Sequence, residues 1–261
     1  MAALLSLRDA TLGYERARPV LRGVSLDVEA GSLLCVLGAN GAGKTTLLRA
    51  LAATIAPLSG EAILDGRAMS TMRRDEIARR IAVVPQELPA IEGFTVREIV
   101  AMGRAPHQGR WMRPTTDDAS KVDAALRRCA LEPLADRPFD EISGGERKRA
   151  TLAQALAQEP AVLLLDEPTA FLDLRHAIEV FELLRVEVGR GLAVVANVHD
   201  LAVAARWADR VVVLAQSKVF ASGDAAAVMT PAVRGEAFGV ELVDAGGALV
   251  PSAYLRDHPR G

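Results

Sequence analysis

The most informative segment of the chain reads Gly38-Ala39-Asn40-Gly41-Ala42-Gly43-Lys44-Thr45. It matches the pattern G-x-x-x-x-G-K-[ST], in which glycines let the backbone curl so that successive N–H groups point at phosphate oxygens. An apolar run, Ser32–Leu37, precedes the loop, and a stretch with helical spacing, Thr45–Ala53, follows it. Because strand, glycine-rich loop and helix occur in the order that the pattern requires, the sequence predicts a nucleotide-binding site here.

The last residues of this loop carry its expected chemistry. Lys44 is expected to reach the β- and γ-phosphates, and the Thr45 hydroxyl is expected to bind Mg²⁺. The helix that follows adds the positive end of its dipole, so Thr46 in its first turn also belongs to the predicted binding residues.

Two carboxylates follow an apolar strand further along the chain. Residues 162–165 are Val-Leu-Leu-Leu, and Asp166 and Glu167 come directly after them. Ligands of open α/β sheets bind at the carboxyl ends of strands, so both acids are expected near the phosphate loop. Asp166 suits a second-sphere hold on Mg²⁺, and Glu167 suits the polarisation of an attacking water.

A second glycine-containing segment, Ser143-Gly144-Gly145-Glu146, stands before a long helical stretch. A serine and two glycines ahead of a helix can cradle an anion. The same four residues also form an ordinary helix cap, which is the commoner case, so this segment alone leaves both interpretations open.

Composition excludes several classes of protein. The 261 residues are 50% hydrophobic and 25% charged, which is typical of a globular protein. The net charge is −2, whereas proteins that coat nucleic acids without sequence preference usually carry a net positive charge. The 2 cysteines cannot form a disulfide framework and fit a reducing compartment. We find no apolar run near the length of about 18 residues that a membrane span needs and no secretory leader, and expect a cytosolic protein that reaches a membrane through a partner.

The pattern of elements is α/β with a helical interruption. Strand signals alternate with helical ones up to Val84, vanish between about Glu87 and Glu159, and resume at Ala161. Within the interruption, Thr116 or Asp117 is expected to cap a helix through Ala130. The tail after residue 230 predicts a short helix and two weak strands.

These motifs, in this order, resemble those of the ATP-binding-cassette ATPases over nearly the whole chain. The resemblance implies an α/β fold of the phosphate-loop NTPase type, with a mixed central sheet, an N-terminal antiparallel β subdomain and a helical subdomain insertion. It implies one domain, 1–261, with a nucleotide-binding core at 1–86 and 160–261 and a helical signature subdomain at 87–159. It also implies ATP and Mg²⁺ as the bound cofactors.

The resemblance assigns further residues. Tyr14 would stack on adenine, Gln86 would sense Mg²⁺ and the attacking water, and His199 would hold Glu167 and water in line with the γ-phosphate. Asp173 would orient the site of a second copy of the chain. That copy would pack head to tail, so that residues 143–146 bind the γ-phosphate in trans. The chain departs from the usual family pattern in Ile142, Phe171 and Asn197, none of which removes a reacting group.

The resemblance also implies partners. A single cassette is expected to pair with two integral-membrane permease subunits at the cytoplasmic face of the bacterial inner membrane, and indirectly with a periplasmic or surface substrate-binding protein. No nucleic-acid partner is expected. The segment GRAPHQGRW at residues 103–111 resembles importers of iron chelates, haem and cobalamin, with haem as the first choice. His107 within it is read as a docking-loop residue in preference to a haem ligand.

Three other classes fit the sequence less well. A regulatory GTPase would need an Asn-Lys-x-Asp guanine reader, and neither asparagine, Asn40 or Asn197, is followed by lysine. A chromosome-structuring cassette would carry long coiled coils between its motifs, and no sustained heptads occur. A ribosome-acting cassette protein would carry two signatures, whereas this chain has one.

Overall fold

The computed structural model describes residues 3–86, 91–108 and 114–228, together with residues 230, 233, 242–244 and 249–251. No helix among the described residues is both long and apolar enough to cross a membrane.

A six-stranded sheet forms the centre of the molecule. Its order is β10-β9-β3-β8-β7-β6, and all of its neighbours pair in parallel except β10 with β9. Strand β3 is buried along its whole length, because an apolar run without alternation suits a strand that is covered on both faces. The strands of this sheet are β3 (Leu33–Gly38), β6 (Ile81–Val84), β7 (Val162–Asp166), β8 (Ala193–Asn197), β9 (Arg210–Ala215) and β10 (Lys218–Asp224).

A second, antiparallel sheet lies at the N-terminal side and has the order β2-β1-β4-β5. Its inner face shares one hydrophobic core with the first helix and one face of the central sheet, and Leu7, Leu47 and Val195 belong to that core. The strands are β1 (Leu5–Leu12), β2 (Leu21–Val28), β4 (Ser59–Leu64) and β5 (Arg67–Ala68). A short pair, β11 (Leu242–Asp244) and β12 (Leu249–Pro251), lies in the tail.

The helices fall into two groups. Those of the core are α1 (Lys44–Leu51), α2 (Arg74–Arg80), α6 (Leu174–Gly189), α7 (Leu201–Trp207) and α8 (Ala225–Val228). Between β6 and β7 lie α3 (Val96–Ala101), a 3₁₀ segment (Met102–His107), α4 (Thr116–Arg128) and α5 (Gly144–Ala157). These helices pack on one another and continue the core on the other face of the central sheet, which Phe181 and Leu163 also join.

Most of the predicted elements are present, with different ends. The helix predicted to start at Thr116 or Asp117 is capped instead by Thr115, whose hydroxyl accepts the N–H of Asp118. It ends at Arg128, and Ala130 has a φ of 51°, outside the helical region. The two weak tail strands are present, whereas the predicted tail helix falls mainly on residues outside the described ones. The subdomain boundaries at 86/87 and 159/160 stay a prediction.

Candidate nucleotide-binding site

The phosphate loop leaves the carboxyl end of β3, the third strand of the central sheet. Gly38 has a φ of 153°, and a Cβ there would lie 2.6 Å from the carbonyl oxygen of Leu214. Gly43 caps α1 with a φ of 101°, and a Cβ there would lie 2.9 Å from the Leu21 side chain. Only glycine combines this backbone with this space, so the residues leave room for the loop to curl around a phosphate.

Lys44 is folded back onto the loop that it is expected to serve. Its Nζ donates to the carbonyl oxygens of Gly38, at 2.8 Å, and of Ala39, at 3.2 Å, and the side chain is buried. Burial lowers the pKa of Lys44, and the charges of Glu167 and Asp166 oppose that shift. The lysine is thus held beside the loop by two of the loop's own carbonyl groups.

The loop borders a cavity of about 350 Å³. Most of the predicted phosphate-binding residues line it, and so do two acid–base groups from neighbouring strands. The lining residues are Val20, Asn40, Gly41, Gly43, Lys44, Thr45, Thr46, Glu167 and His199. Ala42 completes the turn by donating its N–H to the Ala39 carbonyl at 3.1 Å.

Glu167 and His199 follow the adjacent strands β7 and β8 and form a hydrogen bond between His199 Nε2 and Glu167 Oε1. Glu167 has a φ of 47°, a backbone conformation that costs free energy for a non-glycine residue and is common at functional sites. The strained turn aims the carboxylate into the cavity that Lys44 and Thr45 also line. A carboxylate and an imidazole are therefore placed together where a phosphate ester would sit.

Asp166 is held by its neighbour on the next strand. It pairs with Asn197 across β7 and β8, and Asn197 Nδ2 donates to Asp166 Oδ1 at 2.7 Å. Asp166 and Thr45 line a common cavity of about 400 Å³. A hydroxyl and a carboxylate are the oxygen donors that Mg²⁺ prefers, so these residues fit the implied metal.

The structure does not bring Gln86 into either cavity. Gln86 lines a third cavity of about 350 Å³, together with Gly144, Lys148 and Phe171. The preceding residue, Pro85, lines the cavity of Thr45 and Asp166, and its carbonyl accepts a hydrogen bond from Lys148 Nζ at 3.3 Å. Gln86 is therefore one residue away from the expected metal site, on the side that faces α5.

The signature residues form a helix cap. Ser143 accepts the N–H of Glu146 at 3.3 Å, and Glu146 Oε2 accepts the N–H of Ser143 at 2.8 Å, which lowers the pKa of Glu146. A Cβ on Gly145 would lie 2.3 Å from the ring of His176. His176 in turn bonds to Asp173, which caps α6. The cap interpretation is thus correct for the isolated chain, and it leaves an anion-binding role in trans open.

Comparisons with known proteins agree with this arrangement. The sequence model of the ABC transporter family matches residues 21–170, which span the phosphate loop, the signature and both acids. The chain belongs to the ABC transporter family. It is an ATPase of the cassette type.

Two curated relatives and one solved structure illustrate the family membership. The hemin import ATP-binding protein HmuV of Rhodococcus jostii is 44% identical over 231 residues, which are 87% of this chain and 78% of that protein. The achromobactin transport ATP-binding protein CbrD of Dickeya dadantii is 38% identical over 257 residues, 98% and 93% of the two chains. The structure of cbiO1 from Clostridium perfringens, part of the ABC transporter complex cbiONQ, superposes with a TM-score of 0.79 at 28% identity, covering 89% of this chain and 93% of that one. These matches confirm the predicted fold class.

Tyr14 of this ABC cassette lies on the surface, at the N-terminal sheet. It is 56% exposed, its hydroxyl accepts a hydrogen bond from Arg49 at 2.6 Å, and the guanidinium of Arg49 lies 5.7 Å from the ring centroid. Exposure of the ring leaves it available for stacking on a base.

The segment with Gly103, Arg104 and His107 proves to have a structural function. A Cβ on Gly103 would lie 2.0 Å from the Gln154 carbonyl, so the segment touches the backbone of α5. Arg104 is buried and bonded to Asp118, which lowers the pKa of Asp118 to about 2. His107 ends the 3₁₀ segment, and its Nε2 lies 2.9 Å from the carbonyl oxygen of Gln158. Its assignment to a docking loop stays a prediction. Residues 109–113 of the same segment lie outside the described residues.

Two residues near the site have contacts that the sequence does not predict. In the sequence Asn197 is only a departure from the family pattern, and no motif includes Lys148. Lys148 is 5% exposed, and burial lowers its pKa to about 8, an effect that Asp166 opposes. Neither contact was visible in the sequence, because both join segments that are distant in the chain.

Proposed function

We propose that this ATPase energises the uptake of haem in bacteria through separate membrane permease subunits. Ferric siderophores and cobalamin are the alternative cargoes. The observation that carries the proposal is the 44–46% identity to three haem importers' ATPases over 85–87% of the chain. A cobalamin relative is 43% identical over 81% of the chain, and the achromobactin relative is 38% identical over 98%. No residue described above needs to touch the cargo, because the permease and the binding protein select it.

The chemistry of hydrolysis follows from the cavity at the phosphate loop. Loop N–H groups and Lys44 bind the phosphates of ATP, and Thr45 and Asp166, which line one cavity, are proposed to hold Mg²⁺. Gln86 lines a different cavity and would have to move towards this one to sense the metal. The metal, when bound, neutralises charge on the phosphates. Glu167 orients the attacking water and accepts its proton, while His199 holds the carboxylate in place.

A second copy of the chain is proposed to complete the site. Ser143 and Gly145 of that copy would contact the γ-phosphate, and Asp173 would orient the facing site. The exposed side chains beside Asp173 support a face that another protein covers, since Phe171 is 87% exposed and Leu174 is 78% exposed. Large apolar side chains with this exposure are typical of interaction sites.

The permeases are proposed to dock between the core and the helical elements, at the cytoplasmic face of the inner membrane. A groove of about 540 Å³ lies there, lined by Arg74, Ile77, Val83 and Gln158, among others. Val83 is 47% exposed and lies at the rim, which offers an apolar contact for a helix of a partner. A substrate-binding protein would act only through the permeases.

The experiment is co-purification from detergent-solubilised membranes of the source cells, followed by an ATPase assay of the reconstituted complex. We expect a polytopic permease to co-purify, and haem-loaded binding protein to raise the ATPase rate. The Lys44→Ala variant is the matched control, because it retains the docking surface but loses phosphate binding.

The other outcomes would correct either the cargo or the transport role. Stimulation by a siderophore complex or by cobalamin in place of haem would keep the transporter and replace the cargo. A soluble complex without any membrane protein would keep the ATPase and contradict the transport proposal.

A further inference from the structure

We propose that Asn197 is a positioning residue for the metal site, which holds the Asp166 carboxylate in the orientation that binds the metal. The inference rests on the proposed Mg²⁺ site and extends it to a residue behind the metal ligand. Three observations carry it: the pairing of two strand ends, the direction of one hydrogen bond and one unsatisfied buried oxygen.

The two side chains meet because their strands are in register. Asp166 and Asn197 are the last residues of β7 and β8, and they are paired in the parallel ladder. Paired residues of neighbouring strands project to the same face of a sheet, so the two side chains lie side by side. Asn197 is fully buried, and Val195, two residues earlier on the same face, is apolar.

The direction of the hydrogen bond is determined by chemistry. An ionised carboxylate only accepts hydrogen bonds, so the amide nitrogen of Asn197 must face Asp166 Oδ1. The flipped amide would place two oxygens against each other. Among the residues that the structure describes, no donor bonds to the other carboxylate oxygen, Oδ2, which leaves that oxygen for a ligand.

The carbonyl oxygen of Asn197 is the second observation. It is buried and has no hydrogen-bond donor in the described part of the chain. Buried amide oxygens are nearly always bonded, so an unbonded one costs folding free energy. An amide kept at this cost is expected of a side chain whose nitrogen has a function, and that nitrogen holds Asp166.

A neutral amide suits this position better than a charged partner. Lys44 and Lys148 lie close enough to Asp166 for its charge to oppose the lowering of their pKa values by burial. A third cation bonded to the carboxylate would compete with the metal for its negative charge. Asparagine fixes the orientation of Asp166 and leaves the charge available, which is how residues behind a metal ligand raise affinity.

The test measures metal affinity directly. Mn²⁺ is titrated, with detection by electron paramagnetic resonance, into the full chain saturated with a non-hydrolysable ATP analogue. Asn197→Leu keeps the branched shape and removes both polar atoms, and we expect it to weaken Mn²⁺ binding about tenfold. Binding of the analogue in the presence of EDTA should be unchanged. If the leucine does not fit, Asn197→Ala is smaller and removes the same two polar atoms.

Two controls separate the possible failures. Val195→Ala loses packing on the same face of β8 and should lower the melting temperature without changing Mn²⁺ affinity. Asp166→Ala should abolish tight Mn²⁺ binding. Unchanged Mn²⁺ affinity in the Asn197 variant, with loss in Asp166→Ala, would overturn the role of Asn197 alone. Unchanged affinity in Asp166→Ala would overturn the metal site itself, and with it this inference.

Discussion

Lys148 shows how a single residue can work against the stability of the fold around it. Its ammonium group is buried in α5 and makes one long hydrogen bond, to the Pro85 carbonyl. Burial disfavours the charged form, and the nearby Asp166 only partly offsets this. The residue ties the end of β6 to α5 at a cost in folding free energy.

We predict that Lys148→Met stabilises the protein near neutral pH. A pKa lowered from 10.5 to about 8 in the folded state corresponds to a penalty of about 3 kcal/mol. The penalty is complete below about pH 8 and disappears as the pH rises towards the pKa of the unfolded chain, because the unfolded state then loses its proton too. Urea unfolding of both proteins near pH 7 and again at alkaline pH measures the difference.

Lys121→Met is the control, since Lys121 lies at the surface of α4 and burial is not the main influence on its pKa. It should show no gain in stability at neutral pH. An Lys148→Met protein that gains nothing near pH 7, or gains equally at all pH values, would contradict the buried-charge account.

Single residues were predictable where a motif specifies them. The loop from Gly38 to Thr46 and the acids Asp166 and Glu167 follow from local sequence patterns. The contact between Glu167 and His199 does not, because 32 residues separate them and only the pairing of β7 with β8 brings them together.

At the scale of the elements, the 3₁₀ segment Met102–His107 is joined to its neighbours by the buried side chain of Arg104. Arg104 donates to the carboxylate of Asp118 at 2.9 Å and to the carbonyl of Ala157 at 2.7 Å, so one guanidinium joins this segment, α4 and α5. Arg79 from α2 also bonds to the Pro106 carbonyl at 2.9 Å. The segment therefore links α2 of the core to helices α4 and α5.

We predict that Arg104→Met destabilises the protein by about 3–5 kcal/mol, because it leaves Asp118 buried without its partner. The measurement is the free energy of unfolding in urea at neutral pH. Arg97→Met is the matched control: Arg97 of α3 pairs with Asp123 of α4, but both are over 40% exposed, and the expected loss is below about 1 kcal/mol. Equal losses of unfolding free energy in the two variants would contradict the stabilising role of the buried pair Arg104–Asp118.

The elements themselves were largely predictable from periodicity, and their ends were not. The helix at 116–128 was recognised, but its cap was placed one or two residues too late, because Thr115 and Thr116 are the same residue type. Ser143 could be read as a cap or as an anion site, and the structure shows the cap in the isolated chain.

The whole molecule depends on contacts that no local pattern encodes. The strand order β10-β9-β3-β8-β7-β6 brings β3 between β9 and β8, although long segments separate them in the chain. Buried ion pairs also join distant parts, as Arg128 of α4 bonds to the fully buried Glu187 of α6. Only the family resemblance anticipated this architecture, since each contact needs the complete chain.

At the scale of the assembly, we propose that ATP is hydrolysed between two copies of the chain. The Glu167→Gln variant tests it most directly, because it keeps the phosphate-binding residues and removes the proton acceptor. Light scattering at saturating ATP would measure the mass of the particle, and a parallel assay would measure phosphate release. We predict a stable dimer in ATP that hydrolyses it at a small fraction of the wild-type rate. A variant that stays monomeric in ATP, or that hydrolyses it at the wild-type rate, would contradict the account.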